Sequence, residues 1–167
     1  MRPMGTLDDE YVEKILSGNT HHLVMLMDIL FRKNYIQPKS RIINISSVSG
    51  RKIPFAAMYL VGATKATMEA LTRTWAELLG AHPNTAGTTV NALLVGATAT
   101  DALLENAPLE LTERAATVLK TGEPILGPMG MGRPEDVADV AGLIASEKAR
   151  WITGGVVCAN GGYFSII

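Results

Sequence analysis

The sequence predicts an α/β fold, a parallel sheet flanked by helices. Three observations carry that reading. A β-branched run, Ile42-Ile43-Asn44-Ile45, ends in the serine pair Ser46-Ser47. Two further apolar runs, Thr88–Leu94 and Val156–Ala159, have the length of buried strands. Stretches of helical periodicity separate the three. Parallel neighbours need a crossover between them, usually a helix, so this alternation is the order of a parallel sheet. In such sheets chemistry gathers beyond the C-terminal strand ends. Ser46 and Ser47, the loop at Gly96 and the Gly161-Gly162 pair are therefore expected on one rim.

Each element has a local reason. Met1 to Gly5 reads as a loose start, and Thr6 as the N-cap of a first helix with Asp8 and Asp9 in its opening turn. That helix runs to about Phe31 on Val12, Ile15, Leu16, Leu23, Leu26, Met27 and Leu30, with an interruption at Gly18-Asn19. Pro38–Ser40 turns the chain into the strand Ile42–Ile45, and Gly50–Pro54 leads out of it. A second helix covers Met58 to Leu79, with Met68, Leu71, Trp75 and Leu78 as its apolar stripe. After the second strand, Asp101–Leu119 reads as one acidic helix, its Asp101, Glu105 and Glu110 as solvated surface, and Gly127–Gly132 as a mobile linker. Pro134 sits at the first position of a helix Glu135–Ala145, and the third strand follows.

Composition narrows the function classes. The chain has 167 residues, 47% hydrophobic and 19% charged, which fits one domain over 1–167 with a real core. A net charge of -1 without a Lys/Arg block argues against nucleic acid and anionic membrane as partners. The apolar stretch Leu23–Met27 is too short to span a bilayer. Cys158 is the one cysteine, so no internal disulfide or cysteine metal cluster can form, and a reducing, cytoplasmic setting is expected. No His, Cys and carboxylate set has metal-ligand spacing. Ser47 has no local base for a nucleophilic triad, so hydrolase chemistry is not expected.

Several segments together carry a family resemblance. Arg41-Ile-Ile-Asn-Ile-Ser-Ser-Val-Ser-Gly50 is followed by Gly62-Ala-Thr-Lys-Ala66 and then by Val90-Asn-Ala-Leu-Leu-Val-Gly96 with Thr98 and Thr100. Arg133-Pro-Glu-Asp-Val-Ala138, Ile152–Gly155 and Gly161-Gly162 come later in the same order. The chain resembles the catalytic half of the short-chain dehydrogenase/reductase superfamily, a truncated Rossmann-like sheet that lacks the nucleotide-binding half. The resemblance implies roles. Ser47 matches the serine that hydrogen-bonds the substrate oxygen, Asn19 the asparagine of the active-site tetrad, and Lys65 the lysine that binds ribose hydroxyls. Lys65, Gly96, Thr98 and Thr100 would hold a nucleotide if one binds. Ile53, Phe55, Met58, Leu103 and Leu104 would line an apolar substrate pocket, with Met129, Met131, Tyr163 and Phe164 near its rim.

Two departures accompany the match. The family motif is Tyr-x-x-x-Lys, yet Val61 stands four residues before Lys65, and the nearest tyrosine, Tyr59, stands six before. Four helical residues advance about 400° and bring side chains onto one face; six advance about 600° and leave them about 120° apart. Tyr59 is therefore excluded from the motif position if the helix is regular from Met58, whereas a later start at Gly62 would leave it in a loop. His22, three residues after Asn19, reads either as a proton shuttle or as an interface histidine; His21 points elsewhere. Val95 also replaces the proline usual before Gly96. The second departure is the missing strand, glycine-rich turn and helix that would cradle a pyrophosphate.

The expectation that follows is a cofactor-independent enzyme for an apolar small molecule, performing isomerisation, cyclisation or elimination with Ser47, Asn19, Lys65 and Tyr59. NAD(P) is expected only if the missing half is supplied. Two alternatives stand beside it: an NAD(P)-dependent oxidoreductase completed by another segment, and a non-catalytic partner of a full-length relative. An uncovered sheet edge and two apolar helix stripes also predict a homodimer, or a heterodimer with a relative.

Overall fold

The structure, a computed structural model, describes residues 1–163. The chain opens with α1 (Asp9–Leu16) and α2 (His22–Arg32), joined by one π-helical turn over Ser17–His21. The Gly18-Asn19 interruption is thus a bulge inside a continuous helix. The N-cap of α1 is Asp8, whose carboxylate accepts from Tyr11 N–H, and not Thr6. Thr6 instead donates its hydroxyl to the Pro3 carbonyl at 2.9 Å.

Next come β1 (Arg41–Ser47), the long α3 (Tyr59–Ala81) and β2 (Thr89–Val95). The second half contains β3 (Ala97–Thr98), α4 (Asp101–Asn106), α5 (Leu109–Thr121), β4 (Met131–Gly132), α6 (Pro134–Ala145) and β5 (Val156–Ala159). The main sheet is parallel, in the order β1-β2-β5, and β3 pairs with β4 in a small second sheet. The α/β class read from the sequence is the class observed. Ser47 lies opposite Val95, and Val95 opposite Ala159, so the three strand tips are level.

Burial follows the layer order. β2 is central, and its Val90, Leu93 and Leu94 are fully buried. Removing each such side chain from water stabilises the fold by about 1.5–3 kcal/mol. One core cluster joins Met27, Ile36, Ala76, Leu79 and Val90 between α2, α3 and the sheet. A second joins Leu111, Ala115, Val118 and Met131 under α5. Asn91, buried in β2, donates to the Ile152 carbonyl at 2.7 Å and accepts from Gly155 N–H at 3.1 Å, pinning the entry to β5.

The structure corrects three readings. The buried face of α3 is Met68, Glu69, Thr72, Ala76 and Leu79, while Leu78 is 61% exposed. The stripe is displaced because β1 turns the polar residues Asn44 and Ser46 toward α3. Asn44 donates to Thr72 Oγ1 at 2.8 Å, and Ser46 donates to Glu69 Oε1 at 2.7 Å. The acidic helix is split at Ala107-Pro108, where both residues are extended, because the residue before a proline avoids helical geometry. The Gly127–Gly132 segment is a hydrogen-bonded turn. Gly130 N–H reaches the Gly127 carbonyl at 2.8 Å, and Ile125 and Met131 exchange both backbone bonds.

One close approach seats α3. A Cβ built on Gly62 would lie 2.4 Å from the Ser49 carbonyl oxygen, whereas one on Gly142 in α6 meets nothing within 4 Å. Gly62→Ala should therefore destabilise by on the order of 1–3 kcal/mol through overpacking. Gly142→Ala should stabilise by about 0.5–1 kcal/mol through helix propensity. Urea unfolding of the two variants checks the opposite signs.

Candidate active site

The rim of the main sheet frames a cavity of about 380 Å³. Its wall begins at the tip of β1 with Ser47 and Val48. It continues through Pro54, Phe55 and Met58 in the following loop, and then through Val95, Gly96, Thr98 and Thr100 beyond β2. The kinked pair α4–α5 closes the far side with Leu103, Pro108 and Leu111, and Met129 and Tyr163 complete the rim. Among the described residues, no lining side chain is an acid, a lysine, an arginine or a histidine.

Ser47 is held by the turn that follows it. Its Oγ accepts from Ser49 N–H at 3.2 Å and from the Ser49 hydroxyl at 3.0 Å. A serine oxygen has two acceptor positions and one proton. With both accepting positions used, the proton is left to donate outward. Gly96 is placed by packing: a Cβ there would lie 2.9 Å from Asn160 Cα, and its N–H donates to the Ala159 carbonyl at 3.1 Å. Thr100 caps α4 by accepting from Leu103 N–H, and Thr98 donates to the Gly96 carbonyl at 3.2 Å.

The expected site residues divide into two groups. Ser47, Phe55, Met58, Leu103, Gly96, Thr98 and Thr100 share the cavity. Ile53 and Leu104 are not among its lining residues and stand 49% and 37% exposed. Asn19 sits in the π-turn, where its side chain donates to the Ile15 carbonyl at 3.2 Å. Tyr59 begins the regular helix α3 and does not line the cavity. Lys65 lies in a groove along the outer edge of β1, and its Nζ donates to the Ile45 carbonyl at 2.8 Å. Burial lowers the Lys65 ammonium from its ordinary value. His21 and His22 are both exposed. Phe164 lies outside the described residues.

Sequence reasoning did not single out Val48, Pro54, Pro108 or Leu111, all of which line the cavity. For Pro108 a signal was available, since a proline inside a helical pattern marks a kink. Among the described residues, no group of His, Cys, Asp and Glu could hold a metal ion, and no helix is long and apolar enough to cross a membrane.

Comparison with known proteins gives this geometry a lineage. A family model described as enoyl-(acyl carrier protein) reductase matches residues 1–164. The chain belongs to the short-chain dehydrogenase/reductase superfamily. It is 33% identical over 162 residues to the short-chain dehydrogenase/reductase FrzI of Cladobotryum sp, covering 96% of this chain and 59% of that protein. It is 37% identical over 145 residues to an L-xylulose reductase of Aspergillus niger, covering 73% of this chain and 47% of that protein. Among solved structures, the angucycline C-6 ketoreductase LanV with bound NADP matches with a TM-score of 0.75 and 27% identity, over 98% of this chain and 58% of that one. The chain therefore spans about half to three fifths of the length of these relatives.

These relatives correct the expectation of cofactor-free chemistry. The curated ones are named as dehydrogenases or reductases, and the LanV structure holds NADP.

The Lys65 environment has a pH consequence. Its folded-state pKa is lowered, so below that value the folded protein carries the full penalty of a partly buried ammonium. As pH rises toward the ordinary lysine value of 10.5, the folded state releases the proton first and the penalty is relieved. Wild type should therefore gain stability relative to Lys65→Met as pH rises below that value. Urea unfolding of both proteins at stepped pH measures the gap, and a gap that stays constant contradicts the assignment.

Proposed function

We propose that this chain forms the substrate side of an NAD(P)-dependent oxidoreductase acting on a carbonyl or hydroxyl group of a neutral, apolar small molecule. The observation that carries the reading is the shared cavity, where Ser47 and the Gly96–Thr100 loop line one mostly apolar space. The names of the relatives support the redox class over isomerisation or cyclisation.

The residues present fit the nicotinamide end of such a cofactor. The Gly96 backbone, packed tightly against Asn160, leaves Thr98 and Thr100 on the cavity wall beside Ser47. Val95, Gly96, Thr98 and Thr100 would hold that end, while the ribose role that the family resemblance gives Lys65 would require its Nζ to leave the Ile45 carbonyl, since it lies outside the cavity wall. When bound, the cofactor supplies or accepts a hydride. The chain's own residues do the rest. Ser47, with both acceptor positions occupied, donates a hydrogen bond to the substrate oxygen and orients it, keeping its own proton. Charge develops on that oxygen during reduction, where a preorganised donor counts most. Among the described residues, Tyr163 is the one lining side chain with a titratable group, and the proton at that oxygen is assigned to it. Leu103, Leu111 and Met129 exclude water and select against charged substrates, because a charge buried without a partner is strongly disfavoured.

The test is NAD(P)H consumption with a panel of apolar ketones and, as a control, a carboxylated ketone. Ser47→Ala should lower kcat about 10²-fold or more. Tyr163→Phe should also lower it strongly, and Tyr59→Phe should leave it within about twofold. Loss with Tyr59→Phe but not with Tyr163→Phe reverses the phenol assignment. Retention of full activity in Ser47→Ala refutes the site.

The chain is also proposed to self-associate through α2, which leaves Met25, Leu26 and Ile29 exposed along one face of the helix. Large contiguous apolar surface of this kind marks an interaction face. Sedimentation at micromolar concentration should show a dimer, and a stable monomer contradicts it.

A further inference from the structure

One buried acid has no part in the chemistry above. Glu69 is only 1% exposed, yet it lies on α3 beneath the tip of β1. Both its oxygens are engaged. Ser46 donates its hydroxyl to Oε1 at 2.7 Å, and Arg51 donates Nε–H to Oε2 at 2.6 Å. Ser46 precedes Ser47 on the strand, and Arg51 follows the Val48–Gly50 turn whose Ser49 holds Ser47 Oγ. The carboxylate thus grips the chain on both sides of the serine that faces the cavity. A buried charge of this kind is disfavoured unless paired and hydrogen-bonded, and here it is both.

Core filling does not account for the pair. An apolar residue at 69 would fill the same space, whereas a carboxylate imposes direction, since each oxygen fixes one donor. The Ser46 bond sets the register of the strand tip against α3. The Arg51 bond fixes where the chain leaves the turn. Between these points run Ser47, Val48 and Ser49, and Gly62 closes the same turn from α3 by its approach to the Ser49 carbonyl.

We propose that Glu69 and Arg51 form a positioning pair that holds Ser47 in its cavity-facing orientation, and that its role in turnover rests on the oxidoreductase reading above. Glu69 does not touch the substrate. It acts through Ser46 and Arg51 on the segment that carries Ser47. A misplacement near 1 Å of a group that orients the reacting atom lowers rates by about 10²-fold.

The experiment uses Glu69→Gln, Arg51→Met and the double variant in the full chain, with two readouts. The first is hydrogen exchange of the peptide spanning residues 47–55, compared with the peptide over β2. Each single variant should exchange faster at 47–55 with β2 unchanged, and the double variant should exchange no faster than the worse single one. The second is steady-state kinetics with NADPH and an apolar ketone. Turnover should fall about 10- to 100-fold with KM within about twofold, and Arg51→Lys should recover part of it. Unchanged exchange at 47–55 overturns the proposal, as does faster exchange spread equally over β2. A raised KM with unchanged kcat also overturns it. If wild type turns over no ketone while exchange changes locally as expected, the brace stands and the oxidoreductase reading fails. Should Glu69→Gln not fold, Arg51→Met is decided on the same two readouts.

Discussion

The register between β1 and α3 is the constraint on which the site depends. It is set by directional bonds, because the inward face of β1 is polar. Asn44 meets Thr72, and Ser46 meets Glu69, one helical turn apart on the same face of α3. Apolar contacts would tolerate sliding of a helix over a strand, whereas paired hydrogen bonds to buried groups do not, since each unmade bond leaves a buried polar atom at a penalty of about 1–3 kcal/mol. Gly62 adds the steric half of the constraint by letting α3 close on the Ser49 carbonyl. With strand and helix locked, the loop after β1 has one exit, and Ser47 has one direction to face.

The cavity then follows from what the level strand tips leave open. β1 contributes the hydroxyl, and β2 contributes the Gly96 loop, brought close to Asn160 by the missing side chain of Gly96. The remaining wall comes from α4 and α5, whose kink at Pro108 turns Leu103 and Leu111 of an otherwise acidic stretch toward the opening. α5 is anchored beneath by Leu111, Ala115 and Val118 packed on Met131, and Arg114 donates to the Met129 carbonyl at 2.8 Å. The ordered turn at Gly127–Gly132 is thereby part of the site's frame. A space walled this way favours substrates by shape and apolar contact, with few polar groups to set orientation.

Much of this was legible in the sequence. The order of strands and helices, the level rim and the position of Ser47 all follow from periodicity and from the serine pair at a strand end. Three things were hidden for physical reasons. The buried face of α3 was misread because Glu69 and Thr72 face inward to meet polar partners on β1, and such pairing is invisible to a hydrophobic pattern. The N-cap of α1 fell on Asp8, since Thr6 turned back to the Pro3 carbonyl. The position of Lys65 on the Ile45 carbonyl, away from the cavity wall, is a contact between α3 and β1 that spacing along α3 does not encode. Tyr59 is the contrary case, because helical arithmetic alone separates it from the motif position and α3 is regular from that residue onward. The use of a cofactor was misjudged from the residues alone and was corrected by the company the chain keeps.

The space between the tips of β1 and β2 is proposed here as the place where nicotinamide and substrate meet. Backbone amide chemical-shift mapping during a titration with NADP and then with an apolar ketone tests it most directly. The largest shifts are expected at Ser47, Ser49, Gly96, Thr98 and Thr100. Shifts centred instead on the second cavity of about 300 Å³ between α6 and β5, at Val137, Val140 and Cys158, would contradict it.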